Sequence, residues 1–307
     1  MIPFNIEEIK SSLGETQTTP AELFKDDDGR IATKTGISQL NRTSRSALEL
    51  GVDAVKKLEI LEEVKDKVNF LIYVTQSATY YLPNHASRIQ DECGISKKAM
   101  CFDINQGCSG FVQALYMMNS LLSNSGDLGL IVCSDTYSHH LSPDDRATQV
   151  LFSDGATATL VSTQKAWEII SAEHLTDGSG ADLLSKKVDT QHQLSMDGAA
   201  VFQWTRRELG KQIELALSSC NVSLEDVDKF YLHQASKLVI NNVIKSLGIE
   251  AQKVPLTLGI TGNLVSSSIP FLLESTLKDF EESKLIVMSG FGVGLSSSSC
   301  VLRRITS

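Results

Sequence analysis

Several features are missing from this chain of 307 residues, and each absence removes a class of protein. Its cysteines, at 93, 101, 108, 133, 220 and 300, form no CxxC pair and no disulfide-scaffold spacing, so a stapled framework is excluded. No apolar run approaches the roughly 18 residues needed to span a bilayer. The opening residues Met1-Ile2-Pro3-Phe4-Asn5-Ile6-Glu7-Glu8 contain neither a basic nor an apolar segment. No secretion signal is visible there, and the expectation is a cytoplasmic protein with no membrane contact. Positive charge is scarce: 28 Lys and Arg against 37 Asp and Glu leave a net charge of −9, which speaks against nucleic acid as a partner. It speaks also against a broad basic docking face, although Arg206, Arg207 and Lys211 fall close together. No stretch is proline-rich or low in complexity, so no flexible linker is expected. What remains is an ordinary globular composition, 42% hydrophobic and 21% charged, long enough for one large domain or two packed halves.

The chain echoes itself. Phe70-Leu71-Ile72-Tyr73-Val74-Thr75-Gln76 resembles Phe230-Tyr231-Leu232-His233-Gln234, and Leu130-Ile131-Val132-Cys133-Ser134 returns as Leu285-Ile286-Val287-Met288-Ser289. Between the members of each pair lies a small-residue turn opening a helix, Gln106-Gly107-Cys108-Ser109 in one half and Gly262-Asn263-Leu264-Val265-Ser266 in the other. Matches in one order at nearly one offset mark a repeated unit. The halves are placed at residues 1–165 and 166–307. Short Val/Ile/Leu-rich runs alternating with helical segments indicate an α/β protein with mostly parallel, helix-covered sheets. Helices are expected at Ser46–Leu58, Ser109–Leu122, Ala199–Ser219 and Lys237–Leu247, and residues 162–193 read as an irregular crossing between halves.

Four local patterns carry chemistry. In Asp103-Ile104-Asn105-Gln106-Gly107-Cys108-Ser109-Gly110, a thiol stands at the start of an apolar helix. The positive end of the helix would favour its thiolate, and small neighbours leave room for a substrate; the alternative is a cysteine packed as a small hydrophobe. His233-Gln234-Ala235 ends a strand, where a histidine is either a hydrogen-bonding support or a catalyst. Thr261-Gly262-Asn263 offers either a helix cap or a polar amide for a site. Gly290-Phe291-Gly292-Val293-Gly294 follows a buried strand and permits close backbone approach, as a tight turn or a ligand loop.

Together with Leu151-Phe152-Ser153-Asp154-Gly155-Ala156, Thr35-Gly36-Ile37 and Pro143-Asp144-Asp145-Arg146, these runs resemble the β-ketoacyl-acyl carrier protein synthase III family of the thiolase-like superfamily, from about Ile9 to Arg303. The resemblance implies a thiolase-like fold in which two duplicated αβ halves form a five-layered αβαβα core. It implies a catalytic set of Cys108, His233 and Asn263, with an oxyanion hole from the backbone of Cys108, Gly292, Val293 and Gly294. The reaction it implies is self-acylation of the cysteine, then decarboxylative Claisen condensation with a malonyl thioester, malonyl-acyl carrier protein being the expected one. The product is a 3-oxoacyl thioester, for fatty-acid initiation or a secondary acyl or polyketide pathway. Acyl carrier protein and acyl-coenzyme A are the implied partners, in a homodimer, with no metal and no organic cofactor. Thiolases carry a second cysteine in the C-terminal glycine loop, and Gly290-Phe291-Gly292 has none. Rival readings are a non-condensing acyltransferase on the same fold and a silent carrier-binding subunit.

The chain departs from the family at the substrate entrance. Arg30 stands where a tryptophan often stacks on adenine, and Lys34 where arginine is usual. Ser236 and Leu238 replace an asparagine and an arginine that follow the histidine motif, with Lys237 between them. Leu82 takes the place of an aromatic that limits the acyl pocket. Arg146, Phe152 and Gly198 complete the substrate-binding candidates. These departures lead to the expectation that acyl-carrier proteins, or acyl groups longer than acetyl, acylate Cys108 faster than acetyl-coenzyme A.

Overall fold

Alternation along the buried strands decides the layering. The computed structural model describes residues 1–24, 29–122, 124, 126–187 and 193–305. Its main sheet has strands β1 (Phe4–Leu13), β2 (Val68–Val74), β3 (Met100–Ile104), β4 (Leu128–Thr136), β5 (Asp154–Thr176), β6 (Lys229–Leu232), β7 (Leu285–Gly292) and β8 (Ser296–Arg304). The six principal helices are α1 (Ala47–Lys56), α2 (His85–Glu92), α3 (Gly110–Leu121), α4 (Gly198–Ser218), α5 (Lys237–Leu247) and α6 (Ser268–Ser275). The strand order is β6-β7-β8-β5-β4-β2-β3, with β1 also pairing with β5.

Successive side chains of a strand face opposite ways. Ile72 and Val74 of β2, Ile131 and Cys133 of β4, and Ile286 and Met288 of β7 pack in one core with Phe111, Leu115 and Met118 of α3 and Ile269, Leu272 and Leu273 of α6. The residues between them face outward. Leu71, Tyr73, Leu130 and Val132 meet α1 and α2, whereas Phe230, Leu232, Val287 and Val301 meet α4 and α5. Five layers result: α1 and α2, a sheet region, α3 and α6, a second sheet region, α4 and α5.

The duplication is visible in the pairing. β2 runs parallel to β4 and β4 antiparallel to β5; β6 runs parallel to β7 and β7 antiparallel to β8. In each half the parallel pair is joined through one of the two central helices, α3 or α6. The irregular crossing expected over 162–193 is corrected over its first part: Asp154–Thr176 is one strand of 23 residues, whereas 177–187 is irregular, with a 3₁₀ turn at Gly178–Leu183 and a short strand Leu184–Ser185, and 188–192 lie outside the described residues. In the long strand, residues 155–162 pair with β1 and β4, and Trp167–Thr176 pair with β8. The 165/166 boundary lies inside this strand, where it changes partners. Polar Gln164 and Lys165 stand exposed at the changeover, and that charge obscured the two-residue alternation resuming at Trp167-Glu168-Ile169.

The long helices start and stop within one or two residues of expectation, and three of the four carry side-chain caps encoded locally. Ser46 and Glu49 form a reciprocal capping box ahead of α1, and Ser236 caps α5 by accepting from the Val239 N–H. Among the described residues no helix is long and apolar enough to cross a membrane.

Candidate active site

Cys108 lies in the turn between β3 and α3, two residues ahead of the first helical residue, and is 5% exposed. The turn is closed by the Gly110 N–H donating to the Gly107 carbonyl at 2.8 Å. The glycine pattern expected to follow a buried strand turns out to belong to that strand, β7, up to Gly292, with Val293 and Gly294 in the hairpin that leads to β8. A Cβ at Gly290 would come within 2.6 Å of the Cys108 carbonyl oxygen, and one at Gly292 within 3.0 Å of the Cys108 Sγ. Only glycine lets this backbone lie against the thiol. Ser296 secures the hairpin by donating to the Val293 carbonyl at 2.8 Å while its Oγ lies 2.8 Å from the Ser109 Oγ.

His233 follows the end of β6, its backbone N–H donating to the Ser289 carbonyl of β7 at 2.9 Å. The ring is buried, meets Phe291 edge-on at 5.3 Å between centroids, and has no hydrogen-bond partner at Nδ1 among the described residues. Burial pushes its pKa down to about 3, so the imidazole is neutral through the physiological range.

Asn263 is gripped by the backbone of the Leu151-Phe152-Ser153 run. Its N–H donates to the Leu151 carbonyl at 2.9 Å, and its carbonyl accepts from the Ser153 N–H at 2.8 Å. Its side-chain Oδ1 accepts from the Val265 N–H at 2.8 Å. A backbone N–H can only donate, so this bond fixes the amide oxygen inward and leaves the NH₂ end to donate elsewhere. Val265 has φ of +52°, a left-handed conformation that strains a β-branched residue. Asn263 is therefore no simple helix cap; a 3₁₀ turn at Val265–Ser267 separates it from α6.

The three side chains converge. Cys108, His233 and Asn263 line one cavity of about 160 Å³, together with Phe291, Gly292 and a mostly apolar wall that includes Phe152, Leu184, Val201 and Val239. Of the expected substrate-binding residues, Phe152, Gly198 and Ser236 line it, as does Leu238. Lys237 is not among the lining residues and packs on Gly36, where a Cβ would lie 2.7 Å from the Lys237 Cβ. Arg30 and Lys34 belong to a short exposed helix, Arg30–Thr35, that ends at Gly36. The Arg146 guanidinium lies 4.9 Å from the Phe24 ring centroid. None of these three lines the cavity.

Leu82 is 86% exposed on the surface loop 78–83 and is not among the residues lining this chain's cavity. One expectation is corrected. The Cys108 thiol is not biased toward thiolate: burial pushes its pKa up, the Asp135 charge adds to this, and the backbone N–H offsets only part. Desolvation outweighs the helix end. Asp135 itself escaped the sequence reading, although an aspartate closing the apolar run Leu130–Ser134 was a signal. It is fully buried on β4 with its pKa pushed up to about 6, chiefly by desolvation. Among the described residues no group of three or more His, Cys, Asp or Glu could hold a metal ion.

A five-layered α/β fold with duplicated halves, and a thiol, an imidazole and an amide converging from both halves on one apolar cavity, define a thiolase-like enzyme. Family comparison agrees. Residues 102–178 match the model for 3-oxoacyl-[acyl-carrier-protein] synthase III and residues 217–304 the model for its C-terminal region. The chain is 31% identical over 303 residues to the β-ketoacyl-[acyl-carrier-protein] synthase III of Streptococcus gordonii, covering 92% of both chains. Its structure superposes on 3-oxoacyl-(acyl-carrier protein) synthases from Burkholderia xenovorans (TM-score 0.90, 28% identity, 98% of this chain and 94% of that one) and Pseudomonas aeruginosa (0.90, 27%, 98% of each). The chain belongs to the β-ketoacyl-acyl carrier protein synthase III family and is a condensing enzyme of that type.

Proposed function

We propose that the protein takes an acyl group onto Cys108 and condenses it with a malonyl thioester. In the first step the Cys108 sulfur attacks the thioester carbonyl, and its proton ends on the departing thiol. The oxyanion formed on the way is held by backbone N–H donors at Cys108 and the Gly292–Gly294 hairpin. In the second, a malonyl thioester enters and loses carbon dioxide, and the enolate oxygen accepts hydrogen bonds from His233 and from the Asn263 NH₂. The enolate carbon then attacks the acyl-cysteine, giving a 3-oxoacyl thioester and returning the thiol with a proton from solvent. The chemistry asks for no metal or organic cofactor, since neutral donors suffice to stabilise the enolate.

The observation that carries this reading is the oriented Asn263 amide beside a neutral His233. Such donors stabilise an enolate oxygen without protonating its carbon, a function that plain acyl transfer does not need. Incubation with acyl thioesters, followed by intact-mass analysis and carbon dioxide release from malonyl-acyl carrier protein, tests it. Cys108→Ser is expected to take up no acyl mass. Asn263→Ala is expected to acylate normally and to release carbon dioxide roughly 10²-fold more slowly. Equal damage to both steps in Asn263→Ala would remove its assigned role.

Acyl-carrier proteins or groups longer than acetyl are the proposed donors. A volume of about 160 Å³ is comparable to the roughly 150 Å³ cavity that holds a six-carbon ring, so acetyl would leave it underfilled. Faster acylation by acetyl-coenzyme A than by longer groups or carrier-bound ones overturns this preference. We also propose a homodimer, formed along the edge strand β3, whose Met100 is 56% exposed beside partly exposed Phe102 and Ile104. Sedimentation at twice the chain mass is expected, and a monomer at micromolar concentration would refute it.

A further inference from the structure

We propose that Asp135 is a positioning residue that ties the Cys108 half of the site to the Asn263 half. The inference rests on the two-step function above. One carboxylate oxygen faces the first half: Oδ1 accepts from the Gln76 N–H at 2.8 Å and from the Ser77 Oγ at 3.2 Å. Gln76 in turn packs against Gly107, the residue before Cys108. Its Oε1 accepts from the Tyr137 hydroxyl at 2.7 Å and lies 2.4 Å from where a Cβ at Gly107 would be. The other oxygen faces the second half, where Oδ2 accepts from the Ser266 Oγ at 2.5 Å and from its N–H at 3.3 Å.

Ser266 is the neighbour of Val265, whose N–H holds the Asn263 amide in orientation and whose backbone sits at a strained positive φ. A strained turn persists only where its surroundings hold it, and the two Asp135–Ser266 bonds supply such a hold. The carboxylate is bound by hydroxyls and backbone amides. The titratable groups that feel its charge are Tyr73 on β2, Cys133 on its own strand, Tyr137 beyond the strand end and Cys108 in the facing turn, and in each case the effect is to raise the pKa. Asp135 thus acts through its neighbours: one oxygen aims the Asn263 amide by way of Ser266, the other anchors Gln76 beside the Cys108 turn, and the charge between them is felt at the thiol.

Two variants test this. Ser266→Ala removes one tether bond and is expected to slow carbon dioxide release by roughly tenfold or more while self-acylation stays within about threefold. Asp135→Asn is expected to show the same split. It is also expected to shift the pH dependence of Cys108 alkylation by iodoacetamide to lower pH, between about pH 7 and pH 10, where the wild-type carboxylate is ionised. Equal losses in both half-reactions, or an unmoved alkylation profile in a folded Asp135→Asn, overturns the proposal. Should Asp135→Asn not fold, the ratio of half-reactions in Ser266→Ala decides. If wild type neither acylates nor releases carbon dioxide, the proposed function fails, while the alkylation profile still reports on Asp135.

Discussion

A methyl group at Gly292 would stand 2.9 Å from the Cys108 Cβ and 3.0 Å from its sulfur, both inside normal contact. Gly292→Ala is therefore expected to displace the thiol or the hairpin and to cut acylation about 10²-fold, a cost typical of an ångström-scale misplacement. Gly178→Ala, where the added Cβ meets nothing within 4 Å, is the matched control and should acylate normally. Acylation rates by mass spectrometry separate the two. At this scale the reactive types were legible: Cys108, His233 and Asn263 stand in short, distinctive runs. Their protonation was not. A helix start promotes thiolate only while the sulfur remains solvated, and the extent of burial at Cys108 depends on Gly290 and Gly292, remote in sequence. The exposure of Leu82 was hidden for a similar reason, because its neighbours in the chain do not reveal which way the loop 78–83 faces.

Strand β8 contributes a row of buried serines, and Ser296 joins the Val293 carbonyl to Ser109 at the foot of α3. Ser296→Ala would leave the Val293 carbonyl without that donor. The expected effects are a loss of about 1–2 kcal/mol of stability in urea unfolding and slower acylation, with carbon dioxide release from a pre-acylated enzyme less affected. Helix ends were readable because caps such as Ser46 with Glu49 act within a few residues. The long strand β5 was not, since its pairing with β1, β4 and β8 comes from distant segments that override a polar interruption at Gln164 and Lys165.

Over the whole molecule two buried groups oppose each other in acid. His233, with its pKa depressed to about 3, contributes stability that is lost as pH falls below its ordinary value near 6.5. Asp135, raised to about 6, binds a proton more readily folded than unfolded, so its contribution is lost as pH rises from about 4 to about 6. Between those limits the two slopes offset one another. Asp135→Asn removes one of them, and its stability relative to wild type is expected to rise by about 2 kcal/mol from pH 4 to pH 6 in urea titrations. A gap that stays constant with pH would show that Asp135 titrates alike in both states.

The strand that changes partners near residue 165 has a consequence for cooperativity. Halves without shared strands melt as separate units, but here one continuous backbone supplies ladder bonds to both sheet regions. Neither half can release its share of that strand without disturbing the other's register, and α3 and α6 share a single core between them. The two halves in this way form one unfolding unit, and a chain cut near residue 165 would yield two fragments that each lack half of a strand.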